Sequence, residues 1–251
     1  MASLLDNLVA WWDLEEASGD RLDSHNNYDL TPTGTPGNEA GKLGNAADLN
    51  STGKYLSSTD NALWTGGDFG VSAWVKVDAQ LADGTSHAVI GRWTSAGNLR
   101  SFLIQQTGTS NTVLWRGFLS TDGTTATTIS GTETSVYYGE PLMTSWNHLV
   151  LTRNSTTATF YLNGKPGTPV SLAGTLYDNK ASVAFRINGQ GDSTNARACA
   201  VDQCAFWTRE LLPIDVAELY LAGTGISYAD IPTRGGGSGL PKLIGNNSLL
   251  G

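Results

Sequence analysis

A chain of 251 residues is long enough to bury a sizeable core, as one large all-β domain or two small ones. Charged residues make up only 15% and the net charge is −8, which argues against phosphate backbones and anionic membrane surfaces as partners and leaves cations as fitting ones. The 30 Gly residues, with many Ser and Thr, point to short strands joined by turns and away from a helix bundle.

The N-terminal MASLLDNLVAWW lacks a basic region and a small-residue cleavage site, so no secretory signal peptide is expected. No stretch is long and apolar enough to cross a membrane as a helix. An extracellular place would then be reached by lysis, by specialised export or as part of a particle.

Residues 8–14 alternate after Trp11-Trp12 and predict a strand. A polar loop over 20–36 carries a short strand near 28–31. Short strands follow at 44–49 and 54–57, around the turn cluster Asn50-Ser51-Thr52-Gly53. The cleanest alternation is 69–77: Phe69, Val71, Ala73, Val75 and Val77 share one face, and Ser72, Trp74 and Lys76 the other. Strands at 88–94, 100–106 and 112–120 are separated by Ser95-Ala96-Gly97-Asn98 and by 108–111. A further strand is read at 126–130, and 135–143 reads as a surface loop.

The chain is organised around 146–166, WNHLVLTRNSTTATFYLNGKP. Leu149 and Leu151 point one way, and His148, Val150 and Thr152 the other. After the turn Asn154-Ser155-Thr156, Ala158, Phe160 and Leu162 share a face opposite Thr159 and Tyr161. This is a sheet with one buried side. Asn163 and Gly164 both tolerate positive φ, as a type I′ turn demands. A two-strand ribbon is marginal alone in water, so this hairpin belongs at the centre of a larger sheet.

Strands at 183–188 and 199–207 follow, joined by a polar loop at 189–195. A regular pleat aims Cys199 and Cys204 at opposite faces, so two buried free thiols are expected; a disulfide would need a bulge. A helix is predicted over 213–222, with Leu212, Val216, Leu219 and Tyr220 on one face, Pro213 in its first turn and Gly223 as its C-terminal cap. Leu212 is a poor N-cap and predicts a frayed start. The composition breaks at 233. Residues 1–232 form the domain, and 233–251 hold a Gly-rich linker and a short apolar tail. In that tail Leu240, Leu243, Ile244, Leu249 and Leu250 are read as partner-docking residues, against the alternative of a mere appendage.

The pattern W.HL.LTR......FYLNG resembles the late hairpin of laminin-G-like jelly rolls in the concanavalin A-like superfamily. Other pieces fall in the family's order. LVAWWDLEEASG (8–19) resembles its opening strand, and DSHNNYDLT (23–31) its Asp-Ser-rich turn. GNAADL (44–49) and DFGVSAWVKV (68–77) resemble its next strands, and VDQCAFWTRELLPIDVAELYLAG (201–223) its closing strand and short helix. The resemblance implies an all-β, two-sheet antiparallel jelly-roll sandwich with one short C-terminal helix. It also implies a structural Ca²⁺ at that turn, helped by the Asp that opens the closing strand; Asp23, Asn27 and Asp202 stand at those positions. Ca²⁺ needs about six to eight oxygens, and this turn offers a carboxylate, two amides and its carbonyls. The alternative is an Asx-turn satisfying only its own backbone.

Glycosidases share this fold, and a retaining one needs two carboxylates about 5 Å apart. The jelly-roll glucanase pattern Glu-x-Asp-x-(x)-Glu does not occur. Asp13, Glu15 and Glu16 come nearest, in the wrong order, and read as a solvated turn. His25, His87 and His148 are too scattered for a triad or a zinc site, and His148 reads as a satisfied core or interface residue. No Gly-rich loop precedes a helix, so phosphate binding is unsupported. Trp11, Trp74, Trp146 and Trp207 read as core. Trp64, Trp93, Tyr137 and Tyr138 sit at strand ends or in loops, where aromatic rings stack on sugars, bury at protein interfaces or fold back as lids.

The reading is a non-catalytic binding module of a surface or virion protein, extracellular or on a virion surface. It takes a glycan or a surface protein, is stabilised by Ca²⁺, and has capsid or tail subunits and further copies of itself as other partners. Nucleic acid and membrane insertion are not expected. The alternatives are a structural phage capsid-decoration or tail subunit and a glycan-active hydrolase.

Overall fold

The computed structural model describes residues 3–64, 66–78, 81–109, 112–137, 145–192 and 194–232. Its strands are β1 (Leu8–Trp12), β2 (Thr31–Thr33), β3 (Gly37–Ala40), β4 (Asn45–Leu49), β5 (Tyr55–Ser58), β6 (Phe69–Val77), β7 (Ser86–Thr94) and β8 (Leu99–Thr109). There follow β9 (Thr112–Leu119), β10 (Thr127–Tyr137), β11 (Asn147–Arg153), β12 (Thr157–Leu162), β13 (Lys165–Pro166), β14 (Val170–Ser171), β15 (Phe185–Ile187), β16 (Cys199–Trp207) and a helix α1 (Pro213–Tyr220).

The strands pair antiparallel in two sheets. The first runs β13-β12-β11-β6-β16-β4-β3, with β1 also on β16 and β14 also on β12; the second runs β10-β9-β8-β7-β15-β5-β2. This is the expected two-sheet jelly roll with one short helix near its C-terminal end. The predicted hairpin β11-β12 lies next to β6, as its marginal stability alone requires. Its turn residues Asn163 and Gly164 have φ of 51° and 77°. A Cβ on Gly164 would sit 2.8 Å from the Tyr220 ring, so the helix demands glycine there too.

The core fills the space between the sheets. All five apolar residues expected on one face of β6 lie in it, with Leu149, Leu151, Phe160 and Leu162. The rings of Phe69, Phe102, Phe185 and Phe206 meet at its centre with centroids 5.2 to 6.4 Å apart. Each such side chain, fully buried, contributes about 1.5–3 kcal/mol.

A second apolar layer covers the outer face of the first sheet. Leu4, Leu8 and Trp11 from the N-terminal segment, Leu211, Val216 and Leu219 around α1, and Ile226 and Ile231 pack on Val150, Tyr161, Ala205 and Trp207. Trp11, Trp74 and Trp207 are thus buried, but outside the inter-sheet core, and Trp146 is only half-buried.

Five expectations change. Both cysteines are free and buried, yet they face the same core. Gln203, at φ 47°, bulges β16 between Asp202 and Ala205 and resets the alternation. On α1 the buried residue is Leu211, while Leu212 is 45% exposed. The helix start is held by Asp215, which accepts the Leu212 N–H at 2.8 Å and pairs with Arg209 at 2.7 Å; its C-cap is Leu221 at φ 43°, ahead of Gly223. Finally, 135–137 belong to β10; the rest of the predicted loop, 138–143, lies outside the described residues. Among the described residues, no helix is long and apolar enough to cross a membrane.

Candidate functional site

One rim of the sandwich is built from loops held by arginines. Arg153, at the end of β11, is fully buried. It donates to the carbonyls of Gly67 (2.7 Å), Gly66 (3.4 Å), Ser155 (3.3 Å) and Leu172 (3.3 Å), and to that of Gly174. Burial lowers its pKa, opposed by Asp68. Arg92 does the same for the neighbouring loops, donating to the carbonyls of Leu63 (3.0 Å), Lys180 (3.1 Å), Val183 (2.8 Å) and Asp60. Burial pushes its pKa down to about 10.

Between these loops lies an open cleft of about 480 Å³, lined by Trp64, Gly66, Gly67, Arg153, Ser155, Gly174 and Thr175. Trp64 is half-buried; its Nε1 donates to Ser101 Oγ at 3.0 Å, and Lys180 Nζ lies 4.4 Å from its ring. The cleft therefore combines an indole wall, hydroxyls from Ser155 and Thr175, and a rim of main-chain carbonyls.

Of the other aromatic candidates, Trp93 is 5% exposed and packs with Ala88, Leu103 and Phe118 on the outer face of the second sheet. It is a lid over apolar surface and not an open platform. Tyr137 ends β10; Tyr138 and the tail residues Leu240, Leu243, Ile244, Leu249 and Leu250 lie outside the described residues.

The residues implied for Ca²⁺ have distinct environments. Asp23 Oδ1 accepts the N–H groups of Trp11 and His25, both at 2.9 Å, and Oδ2 that of Tyr28 at 3.1 Å. This is the Asx-turn geometry, and it clamps the turn to β1. Asn27 is exposed. Asp202 is fully buried; its Oδ2 accepts Leu43 N–H at 2.9 Å, and its Oδ1 has no protein partner. Burial pushes its pKa up to about 7, against the pull of backbone N–H groups. Among the described residues, no three His, Cys, Asp or Glu side chains group as a metal site. The donor set fits a cation at one point only, the free oxygen of Asp202.

Each carboxylate near the first strand already serves the backbone. Asp13 accepts Tyr228 N–H at 3.2 Å, Trp11 Nε1 at 3.1 Å and Ser24 Oγ at 2.7 Å. Glu15 accepts Asn45 N–H at 2.8 Å, and Glu16 accepts Leu22 N–H at 2.9 Å. The histidines stay apart. His25 Nδ1 meets Tyr228 OH at 3.0 Å, His87 Nε2 meets Asn188 Oδ1 at 3.0 Å, and His148 Nε2 meets Ser72 Oγ at 2.9 Å. Burial pushes the pKa of His87 down to about 4 and that of His148 to about 3.

Sequence reasoning missed Arg153, Ser155 and Thr175 as cleft residues. The signal available was slight: a lone arginine closing an apolar strand beside a turn.

The two-sheet topology and the match of residues 50–217 to its family model place this chain in the concanavalin A-like lectin/glucanases superfamily, to which it belongs. Among solved structures it is similar to the binding domain of Paraclostridial Mosquitocidal Protein 1, at 17% identity and TM-score 0.64, over 86% of this chain and 52% of that one. The botulinum neurotoxin DC binding domain in complex with rat synaptotagmin II is 13% identical, at TM-score 0.62, over 88% and 52%. The botulinum neurotoxin serotype D ligand-binding domain in complex with N-acetylneuraminic acid is 13% identical, at TM-score 0.61, over 87% and 52%. The chain thus spans about half the length of these structures, and the likeness is one of fold. No match is found among curated proteins.

Proposed function

We propose that this chain is a non-catalytic binding module of a surface or virion protein, and that its ligand is a glycan seated in the cleft beside Trp64. The observation that carries the reading is the cleft itself: an indole wall for the apolar face of a sugar ring, beside carbonyls and hydroxyls for its OH groups. The commitment of Asp13, Glu15 and Glu16 to backbone N–H groups supports binding over hydrolysis. The toxin domains solved with N-acetylneuraminic acid and with synaptotagmin support a ligand-binding role more broadly. A glycan array with reducing-sugar release assayed alongside tests the proposal. We expect binding without release, and a loss of about tenfold or more in affinity for Trp64→Ala, as removing one stacking ring implies. Release that disappears on mutating Asp13 or Glu15 would overturn it.

The reading includes a structural Ca²⁺ held at Asp202 Oδ1, with Asp23 and Asn27 as the further ligands that the family resemblance implies. A carboxylate oxygen buried without a partner supports it. Saturating Ca²⁺, at a hundred times Kd, adds about 2.7 kcal/mol of stability. Melting should rise with Ca²⁺ and fall with chelator in the wild type, and Asp202→Asn should abolish the response. Identical wild-type melts with and without chelator would remove the ion from the proposal.

A second reading, a structural subunit binding its neighbours, draws on Leu212, Ile214 and Leu221, which are 45%, 49% and 50% exposed around α1. Mass in solution, with Ile214→Glu as control, separates the two.

A further inference from the structure

Three neighbouring strands of the second sheet carry a row of polar side chains inside the protein. His87 on β7 stands opposite Gln106 on β8, and Gln106 stands opposite Trp115 on β9. None is more than 1% exposed. Four of their polar atoms have no protein partner: His87 Nδ1, Gln106 Oε1, Gln106 Nε2 and Trp115 Nε1. Buried polar groups in folded proteins are nearly always hydrogen-bonded, to protein or to ordered water. Four orphans on three adjacent residues therefore point to something that joins them.

The polarity of the row is set from one end. Asn188, just beyond β15, accepts the Arg197 N–H at 3.0 Å through Oδ1. Its Nδ2 donates to the carbonyls of Lys54 at 2.9 Å and Leu49 at 3.4 Å. Backbone groups cannot exchange donor and acceptor roles, so this amide cannot flip. His87 Nε2, 3.0 Å from Asn188 Oδ1, must then be the donor, which makes Nδ1 an acceptor. At the other end, Trp115 Nε1 can only donate. Gln106 stands between them with both a donor and an acceptor. Its N–H groups suit His87 and its carbonyl suits Trp115, so the chemistry alternates along the row although no protein–protein bond closes it. Beyond Trp115, β10 shifts register between Ser130 and Ser135, which interrupts the regular ladder there.

We infer that this row is an internal hydration site: ordered water joins Trp115 to Gln106 and Gln106 to His87, completing a polar chain from β9 to the segment after β15. An internal water typically makes two to four hydrogen bonds, and the row supplies acceptors and donors for that number. Gln106 is the bridging residue, because it alone can satisfy both neighbours; Asn188 Oδ1 is what holds His87 in the Nε2–H form. The chain ends on Asn188, whose segment bonds β7 through Asn188 N–H to Val89 O and Ala88 N–H to Asn195 O, both at 2.8 Å. The row thus ties the polar 189–195 loop to the interior of the sheet.

NMR of the whole protein, labelled with ¹⁵N at His and Trp, tests this. In the wild type we expect His87 as the Nε2–H tautomer from neutral pH down to about pH 5, in keeping with its lowered pKa. We also expect a cross-peak between the Trp115 indole proton and long-lived water, and a slowly exchanging indole proton. Gln106→Leu should lose the water cross-peak and leave His87 in the Nε2–H form that Asn188 sets. An Nδ1–H tautomer in the wild type, an indole proton without a water cross-peak, or a retained water cross-peak in Gln106→Leu would each overturn the inference. Should Gln106→Leu fail to fold, the wild-type spectra still decide it, and Gln106→Glu supplies a polar variant of similar size.

Discussion

The two sheets share one core but treat their outer faces differently. The first sheet is sealed by a second apolar layer, in which the N-terminal segment and α1 bury Trp11, Val150, Tyr161 and Trp207. Among the described residues, the second sheet has on its outside the small cluster of Ala88, Trp93 and Leu103, with Phe118 half-buried beside it. The difference lies in connectivity. β1 and β16, the strands nearest the two termini, lie together in the first sheet, so the flanking segments fold back over that face. One face is therefore a structural interior, and the other carries no comparable layer among the described residues.

The largest test of this contrast is acid. His148 lies under the sealing layer, its ring 5.0 Å from Trp74 and 5.9 Å from Tyr220. Its pKa is pushed down to about 3, and that of His87 to about 4, while an unfolded chain takes up the proton below about 6.5. Their stabilisation is full above about pH 6.5 and is lost as pH falls through 4 and 3, at about 1.4 kcal/mol per unit per group. Asp202 works in the opposite sense. Its pKa is raised to about 7, so its contribution is full below about pH 4 and is lost as pH rises to 7. Without Ca²⁺, denaturant titrations should then show a stability maximum near pH 6–6.5. Opening the sealed face with Val216→Asp should bring the His148 pKa back toward 6.5; an unmoved value would mean the layer does not keep water out.

Next in size is the paired truncation of one ring from each face. Trp207→Ala should cost about 3–5 kcal/mol, because the indole is fully buried and donates to Leu4 O at 2.7 Å. Phe118→Ala should cost about 1 kcal/mol, as for a partly exposed ring. Equal costs, measured by urea denaturation, would erase the distinction between the faces. The smallest expected effect is from removing 233–251. The melting temperature should stay within about 1 °C, since a tail docking only on a partner adds nothing to the isolated domain's ΔG. Self-association or attachment to a particle should weaken, and unchanged assembly would make the tail an appendage.

Much of the frame was legible in the sequence. β6 and β16 have the predicted bounds, and the Asn163-Gly164 turn has the expected signs of φ, because alternation and turn chemistry are local. β3 was missed: its Gly-Asn-Glu-Ala carries no apolar face and is held as a strand by pairing with β4. The cysteines were aimed at opposite faces because one residue at positive φ cannot be foreseen from an Asp-Gln pair. The cleft was hardest. Trp64 stood out as a loop aromatic, but Arg153, Ser155 and Thr175 come from other segments, and nothing local says that they converge. Trp93 shows the converse: a tryptophan at a strand end looked exposed, and Phe118, far along the chain, helps bury it.

The grip of Arg153 and Arg92 on the rim has an evolutionary consequence. Both hold their loops by main-chain oxygens, which every residue type carries. Substitutions at 155 or 172 can alter the side chains and leave those acceptors in place, whereas Gly66, where a Cβ would sit 2.5 Å from Thr175, and Gly174, at φ 96°, are held to glycine. A rim anchored this way can diversify what it recognises while its frame persists, much as a socket keeps its shape when the fitting is exchanged.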